Sequence, residues 1–264
     1  MSKKANIILL VVTLAVLAAI TTWSLIHRKV EVPEPVIVEP AEVEVVKPPV
    51  NTLLLEHIFN VKEKKQEFNN VTNIQKKYGL YYFKSVVSKK GEKDIVVEAK
   101  LNQDFETLEW KEKNPKKNLN VVAIRQKNKI ILTGTFDNKK DNKREIYIDD
   151  RKWQQIYQLG MMKFAAKENI GKSIEFWSLN PDEPWNAMVI AANKESLETI
   201  TLNGKKVKTV RLRICLAGLL SPFWTGDYWY RLSDGFFVRA KISGDLFVEL
   251  KEGKKEIKVA SKKP

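Results

Sequence analysis

Past residue 51 the chain settles into a rhythm that only a β-rich fold satisfies. Short runs in which apolar and polar residues alternate are broken roughly every ten residues by turn-forming Gly, Asn and Asp. The clearest run places Val210, Leu212, Ile214 and Leu216 on one face of a strand and Arg211, Arg213, Cys215 and Ala217 on the other. Strands are predicted over 52 to 61, 79 to 88, 93 to 101, 119 to 126, 129 to 136, 144 to 149, 172 to 179, 186 to 193, 196 to 202, 205 to 217, 227 to 232, 236 to 243, 246 to 250 and 255 to 260.

The turns carry their own chemistry. Asn203-Gly204 is the strongest signal, because a two-residue hairpin loop needs positive φ twice. Gly91 and Glu252-Gly253 mark two further hairpins. At Ser233-Asp234-Gly235 a three-residue turn is expected, with Gly235 left-handed. That register collects Tyr228, Tyr230, Leu232, Phe236, Val238, Ala240 and Ile242 on one face and leaves Trp229, Arg231, Phe237, Arg239 and Lys241 on the other.

One helix is predicted, capped by Asp149-Asp150, with Trp153, Ile156, Tyr157, Gly160 and Phe164 at helical spacing and an end by Gly171. Residues 62 to 77 read as a weaker helix or a loop. The expectation is a mainly β domain over 51 to 264: a curved antiparallel sheet, half-barrel or partly closed barrel, wrapped on one packed helix.

Ahead of it lies a different kind of sequence. Twenty residues without a charge open at Ile7 and close at Ile26, between Lys3 and Lys4 on one side and His27, Arg28 and Lys29 on the other. At about 1.5 Å per residue the run spans a bilayer core. Residues 1 to 29 are thus read as a cytoplasmic stub and a single transmembrane anchor, with Trp23 near the interface. The rival is a cleaved signal peptide ending near Val16 and Ala18, against which the apolar run continues to Ile26. A short basic N-terminus before a first apolar segment points to export of the rest, so the expected location is the inner membrane with the bulk periplasmic. Residues 30 to 50 contain Pro33, Pro35, Pro40, Pro48 and Pro49 and no glycine, a stiff tether reaching at most ~65 Å at about 3.1 Å per residue.

Charge narrows the partners. The net charge is +14, and the anchor and the glutamate-rich tether cancel, leaving 41 basic and 27 acidic side chains on residues 51 to 264. Most of the excess is dispersed lysine, which suits strand edges and lacks the basic helix or aromatic signature of a nucleic-acid binder; no nucleic acid is expected as a partner. Cys215 is the single cysteine and His27 and His57 the two histidines, so disulfide scaffolds and zinc sites drop out. No phosphate-binding glycine pattern or nucleophile elbow occurs, and neither a cofactor nor catalysis is expected.

Arginine is rarer and concentrated. Arg211, Arg213, Arg231 and Arg239 lie within residues 205 to 243, and the register sets Trp229 diagonal or opposite to Arg239, where guanidinium and indole attract. This face is a candidate seat for an anionic head group, or simply the solvated side of a sheet. Trp177, Trp185, Phe223 and Trp224 either line an apolar cavity or fill the core.

The stretch from 153 to 244 also shows a helix before an FW-containing strand, a strand holding Glu198 before an NG turn, the RLRICL strand, a G-L-x-S-x-F-W loop and an aromatic hairpin turning at DG. Taken in that order it resembles a family of uncharacterised bacterial envelope proteins, a β-rich domain of unknown function. The resemblance implies an exported domain like the curved half-barrels that carry lipoproteins across the periplasm, and it carries over no catalytic residue. The function expected is non-catalytic binding of a hydrophobic or amphipathic envelope component. The alternative is a scaffold module that docks on an envelope protein.

Overall fold

Alternation along a strand buries every second side chain only if that face of the sheet is covered, by another layer or by the sheet's own curl. The computed structural model describes residues 53 to 63, 66 to 167, 169 to 180, 182 to 242 and 246 to 258, with side chains between 55 and 251. The predicted anchor and tether lie outside these residues. Among the described residues no helix is long and apolar enough to cross a membrane.

Fourteen strands form one antiparallel sheet. They are β1 (Leu53–Glu63), β2 (Gln66–Lys77), β3 (Leu80–Ser88), β4 (Ile95–Leu101), β5 (Thr107–Asn114), β6 (Leu119–Gln126), β7 (Lys129–Phe136), β8 (Lys139–Tyr147), β9 (Ser173–Leu179), β10 (Ala187–Leu202), β11 (Lys205–Leu216), β12 (Thr225–Arg231), β13 (Phe237–Ile242) and β14 (Leu246–Lys258). Two meanders, β1 to β8 and β9 to β14, join where β1 pairs with β14, which leaves β8 and β9 as the edges. All described strands belong to the compact unit Pro48–Pro264.

The sheet is curled, since buried residues from both meanders belong to one cluster. Its concave side is occupied by large side chains under 2% exposed, among them Trp153, Tyr230, Phe136, Phe176 and Phe237. The segment between the two edges closes over them. Trp153 bridges edge strand β9 at Trp177, and its carbonyl accepts from Thr107 N at the start of β5 (2.9 Å).

The predicted helix is present only in part, as two single turns, α1 (Tyr157–Gly160) and α2 (Met162–Ala165). Asp149 and Asp150 cap neither. Asp149 instead receives Arg151 N (3.0 Å) and Trp177 Nε1 (2.7 Å), and α1 begins after Ile156 without a side-chain cap. Trp153 therefore belongs to the seam and not to a helical stripe. The turns are held from the sheet: Tyr230 Oη donates to Tyr157 O (2.9 Å), and Tyr157 Oη to Ser178 Oγ (2.9 Å). Burial pushes the Tyr157 hydroxyl up to about 12, so it stays protonated as a donor.

Four other expectations change. Residues 62 to 77 are mostly strand β2, and β5 lies where none was predicted. Both point polar residues inward, which hides the period-2 signal: Ser85 of β3 donates to Asn70 of β2 (2.7 Å), and Asn114 of β5 to Glu112 (3.1 Å), whose buried carboxyl is raised above its ordinary range chiefly by desolvation. The separate strands 186 to 193 and 196 to 202 are one strand, β10, with a bulge between Lys194 and Ser196. No hairpin forms at Glu252-Gly253; β14 runs through, with Gly253 opposite His57.

At the Asp234 turn, Arg231 N donates to Phe236 O (2.7 Å), and a register shift follows before Trp229 meets Arg239. The irregularity lets Phe236, Phe237 and Val238 all be buried, so Phe237 faces the core rather than the arginine side. Asn203-Gly204 turns as expected, with φ of 50° and 76°.

Candidate functional site

The densest polar chemistry lies on one face of β10 to β14, in rows set by register. Asn193, Arg213, Asp227 and Lys241 stand directly opposite one another on β10, β11, β12 and β13. Ser196, Arg211, Trp229, Arg239 and Glu249 form the next row. Opposed residues on neighbouring strands are close enough for their side chains to interact.

Each predicted arginine has a carboxylate partner. Arg211 Nε contacts Glu198 Oε1 at 2.9 Å, and the same carboxylate receives Trp229 Nε1 at 2.7 Å. Arg211 and Arg213 both reach Asp227 Oδ1, each at 3.5 Å. Arg231 pairs with Asp234 (2.5 Å) and Arg239 with Glu249. Arg239 is opposite Trp229 in register, yet its guanidinium lies over Phe247 at 5.7 Å, because Glu249 sits directly across from it.

Three of the four predicted apolar residues, Trp177, Trp185 and Trp224, are partly buried and pack against the core, the second of the two expectations. Trp177 is under Arg151 (5.3 Å), Trp185 stacks on Phe136 (6.1 Å) and Trp224 packs against the core. The fourth, Phe223, is 79% exposed.

Phe223 ends a 3-10 turn, Gly218–Phe223, that joins β11 to β12. Leu219 in the same turn is 97% exposed and Leu220 58%. Beneath the turn is an open cavity of about 680 Å³ lined in part by Arg213, Cys215, Ser221, Thr225, Asp227 and Lys241. Burial pushes the Cys215 thiol up, away from the thiolate form, and Asn193 Nδ2 approaches its sulfur at 3.7 Å. Sequence reasoning placed Phe223 and Trp224 inside and passed over Leu219 and Leu220. The available signal was three large apolar residues crowded into a loop of Gly, Ser and Pro.

His57 lines a different cavity, of about 530 Å³, with Leu202, Asn203, Lys205, Val207, Arg231 and Leu250. Its ring lies 4.3 Å from that of Phe236, and among the described residues neither ring nitrogen has a hydrogen bond. Desolvation lowers its pKa below 6.5, nearby Arg231 adds to the effect and Asp234 opposes it.

The unfolded chain takes that proton more readily than the folded one. Stability is therefore whole above the unfolded value and is lost as pH falls through the lower folded value. His57→Phe is expected to reduce the loss of melting temperature on mild acidification. Equal losses in the two proteins would refute this role. Among the described residues no three His, Cys, Asp or Glu side chains gather as a metal site.

No protein-family model and no curated protein matches the chain. Among solved structures it is similar to a beta-barrel-like protein of domain of unknown function DUF1849 from Brucella abortus, at 11% identity and a TM-score of 0.49 over 77% of this chain and 97% of the other.

Proposed function

We propose that this is a membrane-anchored periplasmic protein, held to the inner membrane by the run from Ile7 to Ile26, whose folded unit binds an amphipathic envelope component without catalysis. The component is a lipid surface, and the binding element is the turn Gly218–Phe223 rather than a lumen of the half-barrel. The observation that carries this reading is the display of Leu219, Leu220 and Phe223 to water at 97%, 58% and 79%. Among the described residues the concave side is filled with aromatic and aliphatic side chains, which favours the turn over the interior.

Magnitudes favour a role for the turn. Burying a Leu or Phe side chain is worth roughly 1.5–3 kcal/mol, so three exposed together are a sizeable driving force for leaving water. Residues projecting from a turn suit a soft acyl layer, into which they insert without needing a matching pocket. A domain tethered to the same bilayer needs only weak affinity, because the tether supplies effective concentration. The net positive charge draws it toward anionic head groups.

The test is amide exchange in the full chain reconstituted into vesicles of phosphatidylcholine and phosphatidylglycerol. Backbone amides of residues 218 to 224 are expected to be protected relative to detergent. The double substitution Leu219→Ser and Phe223→Ser should abolish that protection while leaving the melting temperature unchanged, since neither side chain is buried. Protection that survives the double substitution would refute the reading. Protection that appears only when another envelope protein is added would favour the scaffold alternative.

A further inference from the structure

We infer that the cavity beneath the exposed turn receives the phosphate head group of the lipid that the turn enters. This rests on the lipid-surface reading of Leu219, Leu220 and Phe223. The cavity and the turn are one structure, since Ser221 and Pro222 of the turn form part of its wall. An amphiphile lying along them meets apolar side chains first and charged ones next.

The spacing suits that order. Cys215 pairs with Thr225 at the base of the turn, and Arg213, Asp227 and Lys241 stand two residues further along their strands. Two residues of strand rise are roughly 7 Å. Apolar side chains of surface-bound elements enter the head-group boundary by about 5–10 Å, which brings this row to the level of the phosphates.

The charges suit it as well. Arg213 is about half exposed, and its contact with Asp227 is long, at 3.5 Å. Asp227 is shared between Arg211 and Arg213, so its carboxylate is already compensated. Lys241 is exposed and makes no salt bridge among the described residues. With Glu198 balancing Arg211, the row carries an excess of one positive charge at Lys241. The Thr225 hydroxyl, beside the cavity, is buried and has no hydrogen-bond partner among the described residues. A singly charged phosphodiester supplies the anion that Lys241 lacks.

The experiment uses the full chain in phosphatidylcholine vesicles with increasing phosphatidylglycerol, reading exchange protection of residues 218 to 224. Lys241→Gln should raise the phosphatidylglycerol fraction needed for half protection about fivefold. Lys208→Gln, at another exposed lysine toward the far end of β11, should leave it unchanged. Equal shifts in the two variants would show that net charge alone is at work and overturn the head-group site, while the turn's own protection stands. Inorganic phosphate that removes the dependence on phosphatidylglycerol would reassign the cavity to a free phosphate and overturn it too. A wild-type turn unprotected in every vesicle would instead bring down the lipid-surface reading and this site with it.

Discussion

Gly235→Ala is expected to destabilise the fold by roughly 2–5 kcal/mol. Gly235 holds φ at +69°, where an L side chain is strained by about 1–2 kcal/mol. The larger part comes from packing, because a Cβ at this position would stand 2.2 Å from Met162 O and 3.0 Å from Met162 C. Those are backbone atoms of α2, so relief requires the turn or the helix to move, at a further cost of about 1–3 kcal/mol. Gly204→Ala is the matched comparison. Its φ is +76° and nothing lies within 4 Å of the added carbon, so the backbone strain stands alone and the loss should be about 1 kcal/mol. Urea unfolding of both variants gives the difference, and equal losses would mean that α2 yields freely.

The second large effect concerns Lys194, which is 2% exposed and makes no salt bridge among the described residues. Its ammonium donates to Lys167 O and Asn169 Oδ1, both at 2.6 Å, and lies 4.4 Å from the centre of the Phe164 ring. The bulge in β10 aims it at the chain just past α2, so one buried cation ties that segment to the sheet. Hydrogen bonds from a charged donor are worth about 1.5–3 kcal/mol each, and removing the donor leaves two acceptors unmet. Against this stands the desolvation of the ammonium, which a methionine escapes. Lys194→Met should therefore lose about 3 kcal/mol in urea unfolding. A loss under about 1 kcal/mol would mean that water takes over both acceptors.

How much of this was legible depended on whether a residue's partners are near it in sequence. Asn203-Gly204 could be read directly, because positive φ at two successive positions is a local demand that these two residue types meet. Strands β6, β7 and β11 were legible because their inward positions are apolar, as Val121, Ile130 and Leu212 are. β2 and β5 were not, because Thr72, Glu112 and Asn114 are buried there, and a buried polar residue has the same letter as an exposed one. Nor does anything local mark Lys194 among the many lysines. Its burial follows from a bulge and from a helix end more than twenty residues away in the chain.

The candidate site divides in the same way. The concentration of arginines in residues 205 to 243 was visible in composition, and the register that sets Arg239 opposite Trp229 follows from alternation and one turn. Their neutralisation was not visible, since Glu198 and Glu249 lie on other strands and reach Arg211 and Arg239 only once the sheet is assembled. The reverse holds for Leu219, Leu220 and Phe223, which have the composition of a core and stand in water.

The sequence by itself determined the class of this protein: the alternation and the glycine and asparagine turns commit residues 51 to 264 to antiparallel hairpins, and the uncharged run and proline tether are read from it alone. Tertiary structure decided which apolar residues are covered. Apolarity sets only a preference for leaving water, and the pairing of β1 with β14, the curl that follows and the filling of its concave side by Trp153 and Phe237 decide where that preference is met. The turn Gly218–Phe223 projects beyond the strands that curl inward, so its preference is left unmet within the fold.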